Sequence, residues 1–374
     1  MTWHDCRLGD VLTLKRGHDL PESQRQDGDV PVVSSSGVTG THNESKAKAP
    51  GIVTGRYGTL GEVFYVQEDY WPLNTALYVT DFKGNHPRFL AYFLRNALRN
   101  YQSDKAAVPG VNRNVLHELK VQCPDLRAQE RIADILSAYD DLIENNRRRM
   151  ALLEEAARQL NREWFVRLRF PGHEHTRIIN GVPEGWQKVP ASEAIDINPP
   201  TSLSDESEHW WVEMADLATN SMVINNVTRR EGRSGSKFRN GDTLFARITP
   251  CLENGKTGFV DFMDNGEAGR GSTEFIVLRS KQLTPEFVYC LARTYMFREN
   301  AIKSMVGSSG RQRVQESCFE KLLVFVPSST LLRMFTDYVR PIFSETQVLH
   351  GMNQNLRAAR DLVLPRLMSG KFAV

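Results

Sequence analysis

Two stretches of the 374-residue chain hold residue types whose spacing could do chemistry. The first is Asn198-Pro199-Pro200, inside IDINPPTS. Enzymes that methylate the exocyclic amine of adenine use an Asn-Pro-Pro-aromatic turn. Its Asn and a proline-fixed carbonyl hold the amine while the ring stacks on the base. Here Thr201 stands where the ring is needed. Such an enzyme also needs a glycine-rich turn between a strand and a helix N-terminus to cradle the methyl donor. The nearest candidate, GRYGTLG with Gly55, Gly58 and Gly61, lies between two strand-like runs. The triplet reads as a loop. The second stretch, His173-Glu174-His175, has metal-ligand residue types but no third ligand signal nearby, and reads as solvated. No Ser/His/Asp or Cys/His arrangement recurs, so no catalytic residue and no metal ligand is assigned.

Composition narrows the class. Hydrophobic residues are 40% and charged residues 25% of the chain, with a formal charge of +2, which suits folded domains with proper cores. A nucleic-acid binder with so small a surplus must segregate its charge locally. The five cysteines are scattered without a CxxC pair, which argues against a zinc knuckle or a disulfide framework and fits a reducing compartment. No apolar run approaches the roughly 20 residues that span a bilayer, and the N-terminus has no basic-then-apolar signal. The expectation is a cytoplasmic protein with no membrane contact.

The elements that must position any site come twice. WHDCRLGDVLTL from Trp3 aligns with WQKVPASEAIDI from Trp186, and LKVQCP ending at Pro124 resembles LLVFVP ending at Pro327. Each copy opens with a globular part of mixed strands and helices, without regular βαβ alternation, so the fold class is α+β. In copy one, GIVTGRYGTLGEVFYV and TALYVTDF read as strands and PRFLAYFLRNALRNY as a helix. In copy two, GDTLFARITPCLENGKTGFVDF and STEFIVLRS read as strands, and TPEFVYCLARTYMFRENAI as one helix.

Each copy closes with a long helix. From Leu126 an apolar stripe runs through Ile132, Ile135, Tyr139 and Leu142, passes polar Asn146, and continues through Leu153, Ala156 and Leu160. The second runs through Leu332, Phe335, Val339, Ile342, Thr346, Leu349, Asn353, Leu356, Val363 and Leu367. Both keep a heptad phase with polar residues in the seam, as helices do when they must choose one register. Pro341 should kink the second helix rather than end it. The domains expected are globular heads at 1–125 and 171–330 and helices at 126–170 and 331–374. The helices should pack as an antiparallel coiled coil, and 40 helical residues span about 60 Å.

These stretches resemble the specificity subunit of type I restriction–modification systems over almost the whole chain. CPDLRAQERIADILSAYDDLIENNRRRMALLEE carries the likeness, with Pro124, Gln129, Ile132, Leu136, Asp140 and Ile143 at the family's positions. So do REWFVRLRFPG, GVPEGWQ and the closing RDLVLPRLMSGKF. Copy two departs where Leu331-Leu332-Arg333 replaces Ala128-Gln129-Glu130, so its helix start should dock differently. The resemblance implies two target-recognition domains, each reading one half of a bipartite double-stranded DNA sequence. It implies helices that set the spacing and dock two methyltransferase subunits, with restriction subunits as further partners. S-adenosylmethionine and ATP would then sit on the partners, with no cofactor and no catalysis on this chain. A coiled-coil scaffold without DNA specificity is the alternative.

Bases are read by forked or amide side chains on loops that approach a groove, while phosphates need cations, hydroxyls and bare amides. In copy one the candidates are Ser35, Ser36 and Gly37, then Arg56 and Tyr57, then Lys105, Asn112 and Arg113. In copy two they are Arg247, Asn254 and Lys256, the GRGSTE loop, and Ser308, Ser309, Arg311, Gln312 and Arg313 within GSSGRQRV. Arg147, Arg148 and Arg149 read as solvent-facing or paired with nearby Glu.

Overall fold

The computed structural model describes residues 2–56, 61–99, 101, 112–203, 208–308 and 310–372. It divides into two compact units, Met1–Glu144 with Gln354–Val374, and Asn145–Asn353. Each unit contains part of both long helices, Leu126–Asn161 and Ser329–Met368.

In the first unit Trp3–Arg7 pairs antiparallel with Lys120–Pro124, which brings both ends of the head to the start of the first long helix. A four-stranded antiparallel sheet follows in the order Thr13–Arg16, Ala76–Asp81, Gly51–Gly55, Val63–Val66. A smaller sheet sets Val30–Ser34 between Gly37–His42 and, in parallel, Trp71–Pro72. The helix Pro87–Arg99 buries Phe89, Leu90, Phe93 and Leu94 along one stripe. That stripe shares its core with Leu14, Ile52 and Leu77 of the sheet. The same core takes Ile132 and Leu136 from the first long helix and Leu364 and Leu367 from the second.

The second unit repeats the plan. Gln187–Pro190 pairs with Leu323–Val326, and the main sheet runs Ile195–Ile197, Phe275–Ser280, Thr243–Ala246, Thr257–Phe259. Strand for strand this is the order of the first unit. The smaller sheet again has a parallel central pair, His209–Val212 with Ala268–Gly271, flanked by Thr228–Arg230. It adds Ser236–Arg239 as a fourth strand, which accounts for part of the extra length of the second copy. The single helix expected from TPEFVYCLARTYMFRENAI is two, Pro285–Ala292 and Tyr295–Lys303. Thr294 makes the break: its hydroxyl donates to the Leu291 carbonyl at 2.7 Å and accepts from the Phe297 amide, capping the new helix.

Within each unit the two helix segments run antiparallel. In the first, Arg360 bonds Asp140, and Ile132 shares a core with Leu367. In the second, the Asn146 amide donates to the Asn353 side chain at 3.0 Å, Arg149 pairs with Glu345, and Trp164 packs on Phe335. The buried Asn pair penalises any shifted register, because slipping would strand both amides. The second helix continues through Pro341 to Met368 and buries Leu332, Phe335, Val339, Thr346, Leu349, Asn353 and Leu367, as its sequence stripe implies. The first helix differs from expectation. Ile135, Leu142 and Ala156 face outward, while Leu136, Ile143 and Ala157 are buried. Its inner face also holds Gln129, Ser137, Glu154 and Asn161, so counting apolar residues alone picks a seam one residue off.

Buried polar side chains fasten the heads to these helices. Gln129, 2% exposed, donates to the Asn85 side chain (2.7 Å) and the Pro124 carbonyl (2.9 Å) and accepts the His86 amide (2.9 Å). Asp125 caps the same helix by accepting the Ala128 amide. At the Gln129 position of copy two, Leu332 is simply buried apolar surface, and Ser328 starts the helix. In its place Glu154 of the first long helix accepts the Tyr289 hydroxyl at 2.6 Å and the Met222 amide at 2.8 Å.

One fastening titrates. Asp261 accepts from Gln347 of the second long helix, and burial pushes its carboxyl up to about 7 from 3.8. A carboxyl raised in the folded state binds its proton more tightly there than in the unfolded chain. Stability is therefore fullest below pH 4 and falls as pH rises through 7. Asp261→Asn removes the charge and offers a donor to the Gln347 carbonyl oxygen, which is buried without a partner. The wild-type minus variant difference in Tm should therefore grow more negative from about pH 4 to about pH 7 and level off above it. A constant difference would mean the carboxyl is not held protonated.

Candidate nucleic-acid interface

The main sheets place one arginine at the same point of each head. Arg56 directly follows the strand Gly51–Gly55, and its amide bonds the Thr75 carbonyl at 3.0 Å. Arg247 directly follows Thr243–Ala246, and its amide bonds the Glu274 carbonyl at 3.0 Å. Thr75 and Glu274 each precede the equivalent central strand. The two arginines are thus counterparts, and backbone bonding fixes where each side chain leaves the sheet.

In the first unit Ser35 and Ser36 form the turn between Val30–Ser34 and Gly37–His42. Buried Ser34 holds it, accepting the Ser36 amide and donating to the Gly37 carbonyl. Gly37 has φ +97°, and a Cβ there would press on the Phe64 ring at 3.2 Å. Asn112 uses its side-chain oxygen to cap the short helix Arg113–His117, accepting the Asn114 amide at 2.9 Å. Exposed Arg113 opens that helix, and His117 anchors it by accepting the Leu14 amide of the edge strand. Tyr57 and Lys105 lie outside the described residues.

In the second unit the loop 306–314 is laced along the chain that follows Arg247. Val314 donates to the Arg247 carbonyl, Thr249 donates to the Gln312 carbonyl, and the Gln312 amide donates to the Thr249 hydroxyl. Ile248 and Val306 each bridge to Arg313. This lacing gathers Arg247, Arg311, Gln312 and Arg313. Gly307 and Gly310 make the turn at φ +138° and +78°, and Arg311 closes it by donating its amide to the Ser308 carbonyl. Arg311 and Ser308 are exposed; Ser309 is outside the described residues. The Arg313 guanidinium grips Glu274 with Nε and Nη2 at 2.6–3.0 Å and holds that carboxyl below its ordinary range. Arg247 stands 3.5 Å from Glu316. Exposed Asn254 sits in the turn 250–256, whereas the Lys256 ammonium donates to the Met214 carbonyl at 2.7 Å and braces that turn.

Two features escape a linear reading. Of GRGSTE, expected as a loop, Gly269–Gly271 closes the strand Ala268–Gly271 with Arg270 buried, and Glu274 just beyond it is the partner that orients Arg313. On the smaller sheet Arg229 lies 4.4 Å over the Trp210 ring and pairs with Glu267, and Arg230 lies 3.8 Å over Trp211 and pairs with Glu213. Both depend on strand register and had no local sequence signal. Asn198-Pro199-Pro200 is a structural corner. Asn198, at φ +49°, exchanges bonds with Val277 through its amide and its side-chain oxygen, both at 2.8 Å. Arg279 bonds Thr201 and grips buried Asp242.

Among the described residues no group of three or more His, Cys, Asp or Glu could hold a metal ion, and no helix is long and apolar enough to cross a membrane.

Residues 1–155 match a family model described as the type I restriction modification DNA specificity domain. The chain is similar to the type I restriction enzyme MjaIX specificity subunit of Methanocaldococcus jannaschii. The two are 22% identical over 73% of this chain and 65% of that one. It is also similar to the EcoEI specificity subunit of Escherichia coli, 28% identical over 49% of this chain and 32% of the relative. The chain thus spans less than two thirds of either relative's length. Its fold resembles the crystal structure of a type I restriction–modification S subunit from M. genitalium. That likeness has a TM-score of 0.57 at 14% identity and covers 98% of this chain and 96% of the other.

The lacing of the 306–314 loop is testable by itself. Thr249→Val removes the hydroxyl that accepts the Gln312 amide, a loss of about 1 kcal/mol. Hydrogen exchange at Gln312 should quicken about fivefold with global stability little changed. Unaltered exchange would mean that the backbone alone fixes the loop.

Proposed function

We propose that this chain, similar to type I restriction–modification specificity subunits, acts as one and reads a split double-stranded DNA target with one head on each half. Segments 1–125 and 171–330 serve as the heads, and segments 126–170 and 331–374 carry them through the helices Leu126–Asn161 and Ser329–Met368. The single observation that supports this most strongly is the pair of counterpart arginines, Arg56 and Arg247, at the same strand end of two heads with one strand order. Each lies in a head that also offers exposed cations: Arg113 at a helix start capped by Asn112 in the first, and the Arg311 to Arg313 loop in the second. Arginine forks suit guanine and glutamine amides suit adenine, whereas the serine-rich turn at 35–37 and exposed Ser308 suit phosphates.

Chemistry belongs to partners in this reading. Two methyltransferase subunits dock on the helices and bring S-adenosylmethionine, and restriction subunits bring ATP. This chain supplies recognition and spacing. Binding of the full chain with its methyltransferase partners to double-stranded DNA should weaken steeply with salt, the logarithmic slope falling by about 0.9 for each phosphate neutralised. Flat salt dependence would leave a scaffold. Arg311→Ala or Gln312→Ala should relax base preference in one half of the target by about 1–3 kcal/mol. Equal weakening on every sequence would make those residues phosphate clamps.

A further inference from the structure

We infer that Glu274 is a positioning residue for base recognition, presenting Arg313 to a guanine in the half-site read by the second head. This rests on the DNA-reading function proposed above. An arginine has five N–H donors in a planar fork. Glu274 takes the Nε and inner Nη2 donors of Arg313, with Nε within 3.0 Å of both carboxylate oxygens and Nη2 2.6 Å from Oε1. What remains is the end of the fork, where one Nη1–H and one Nη2–H point away from the chain side by side. Those parallel donors match guanine O6 and N7 in the major groove.

The buttress is itself fixed. Glu274 donates its amide to the Ser272 hydroxyl and accepts the Arg247 amide at its carbonyl. Its side chain is 22% exposed while that of Arg313 is 46% exposed, so the carboxylate sits behind and the guanidinium in front. Arg313 is held at the backbone too, bridged to both Val306 and Ile248. A fork fastened at backbone and side chain loses little rotamer freedom on binding, so its energy goes to telling guanine from other bases. The pair is also close to neutral, which makes Arg313 a poor counterion-releasing phosphate contact. In the first head Thr75 occupies the place of Glu274, so the device belongs to one half-site alone.

The test selects a randomised double-stranded DNA library with the full chain and its methyltransferase partners, and measures affinity across a salt series. Glu274→Gln keeps the size of the side chain but frees the fork and adds one net positive charge. It should erase the preference for one G·C pair in one half-site, roughly a tenfold or greater loss of discrimination there. Affinity for unrelated DNA should rise, with a salt slope steeper by up to about one. Arg313→Lys, which keeps the charge and leaves Glu274 paired, should lose the same base preference with an unchanged salt slope. A consensus that stays intact at every position in both variants overturns the inference while the DNA-reading function stands. A wild-type chain that enriches no consensus overturns both.

Discussion

Neither head completes its hydrophobic core by itself; each is closed by segments of both long helices. Phe89, Phe93 and Leu94 of the first head share one core with Ile132 and Leu136 of the first long helix and Leu364 and Leu367 of the second. In the second, Phe287 packs at 4.7 Å against Phe165 of the π-helical turn Arg162–Val166 that follows the first long helix, and at 5.7 Å against Phe335 of the second. Burial of this kind has no direction of its own. Direction comes from Gln129 and Glu154, which lose their hydrogen bonds if a head shifts on its helices. Because each strand end is positioned relative to that seat, the orientation of Arg56 and Arg247 follows from the way the helices are gripped.

The two copies share a strand order but not a grip. Gln129 ties the first long helix to the start of helix Pro87–Arg99, whereas Leu332 makes only apolar contact at the matching place. In the first unit Arg88 pairs with Asp141, and in the second Glu286 pairs with Arg340. The sign of the charge on the head helix is therefore reversed between copies. The repeat preserves architecture while side-chain chemistry at each seat diverges, so each head fits its own pair of helix faces.

Much of the architecture was legible because it depends on repetition and periodicity. Paired tryptophans, paired Pro-terminated strands and the second heptad stripe all reappear as equivalent elements. The first stripe holds at Ile132 and Asn146 but slips by one position at Ile135, Leu142 and Ala156, because the inner face mixes Leu136 and Ile143 with Gln129 and Glu154 and polarity hides the seam. Thr294 was read as helix interior because its cap becomes visible only once the backbone turns. At the candidate interface, loops rich in Gly, Ser and Arg could be found from composition. The functional weight of their residues could not, because Lys256 and Arg313 bond atoms that sequence distance conceals, and Asn112 commits its side-chain oxygen to a helix cap. Glu274 lies 39 positions before Arg313, and only the lacing of 306–314 against the chain after Arg247 brings them together.

If two heads read two half-sites, then the halves of the target should be separable. The most direct measurement is methylation mapping of a host genome carrying either this chain or a version with residues 1–125 replaced by the equivalent head of a type I specificity subunit. One half of a split adenine motif should change while the other half and the spacer stay the same. A motif altered in both halves, or left whole after the exchange, would contradict the division of reading between the heads.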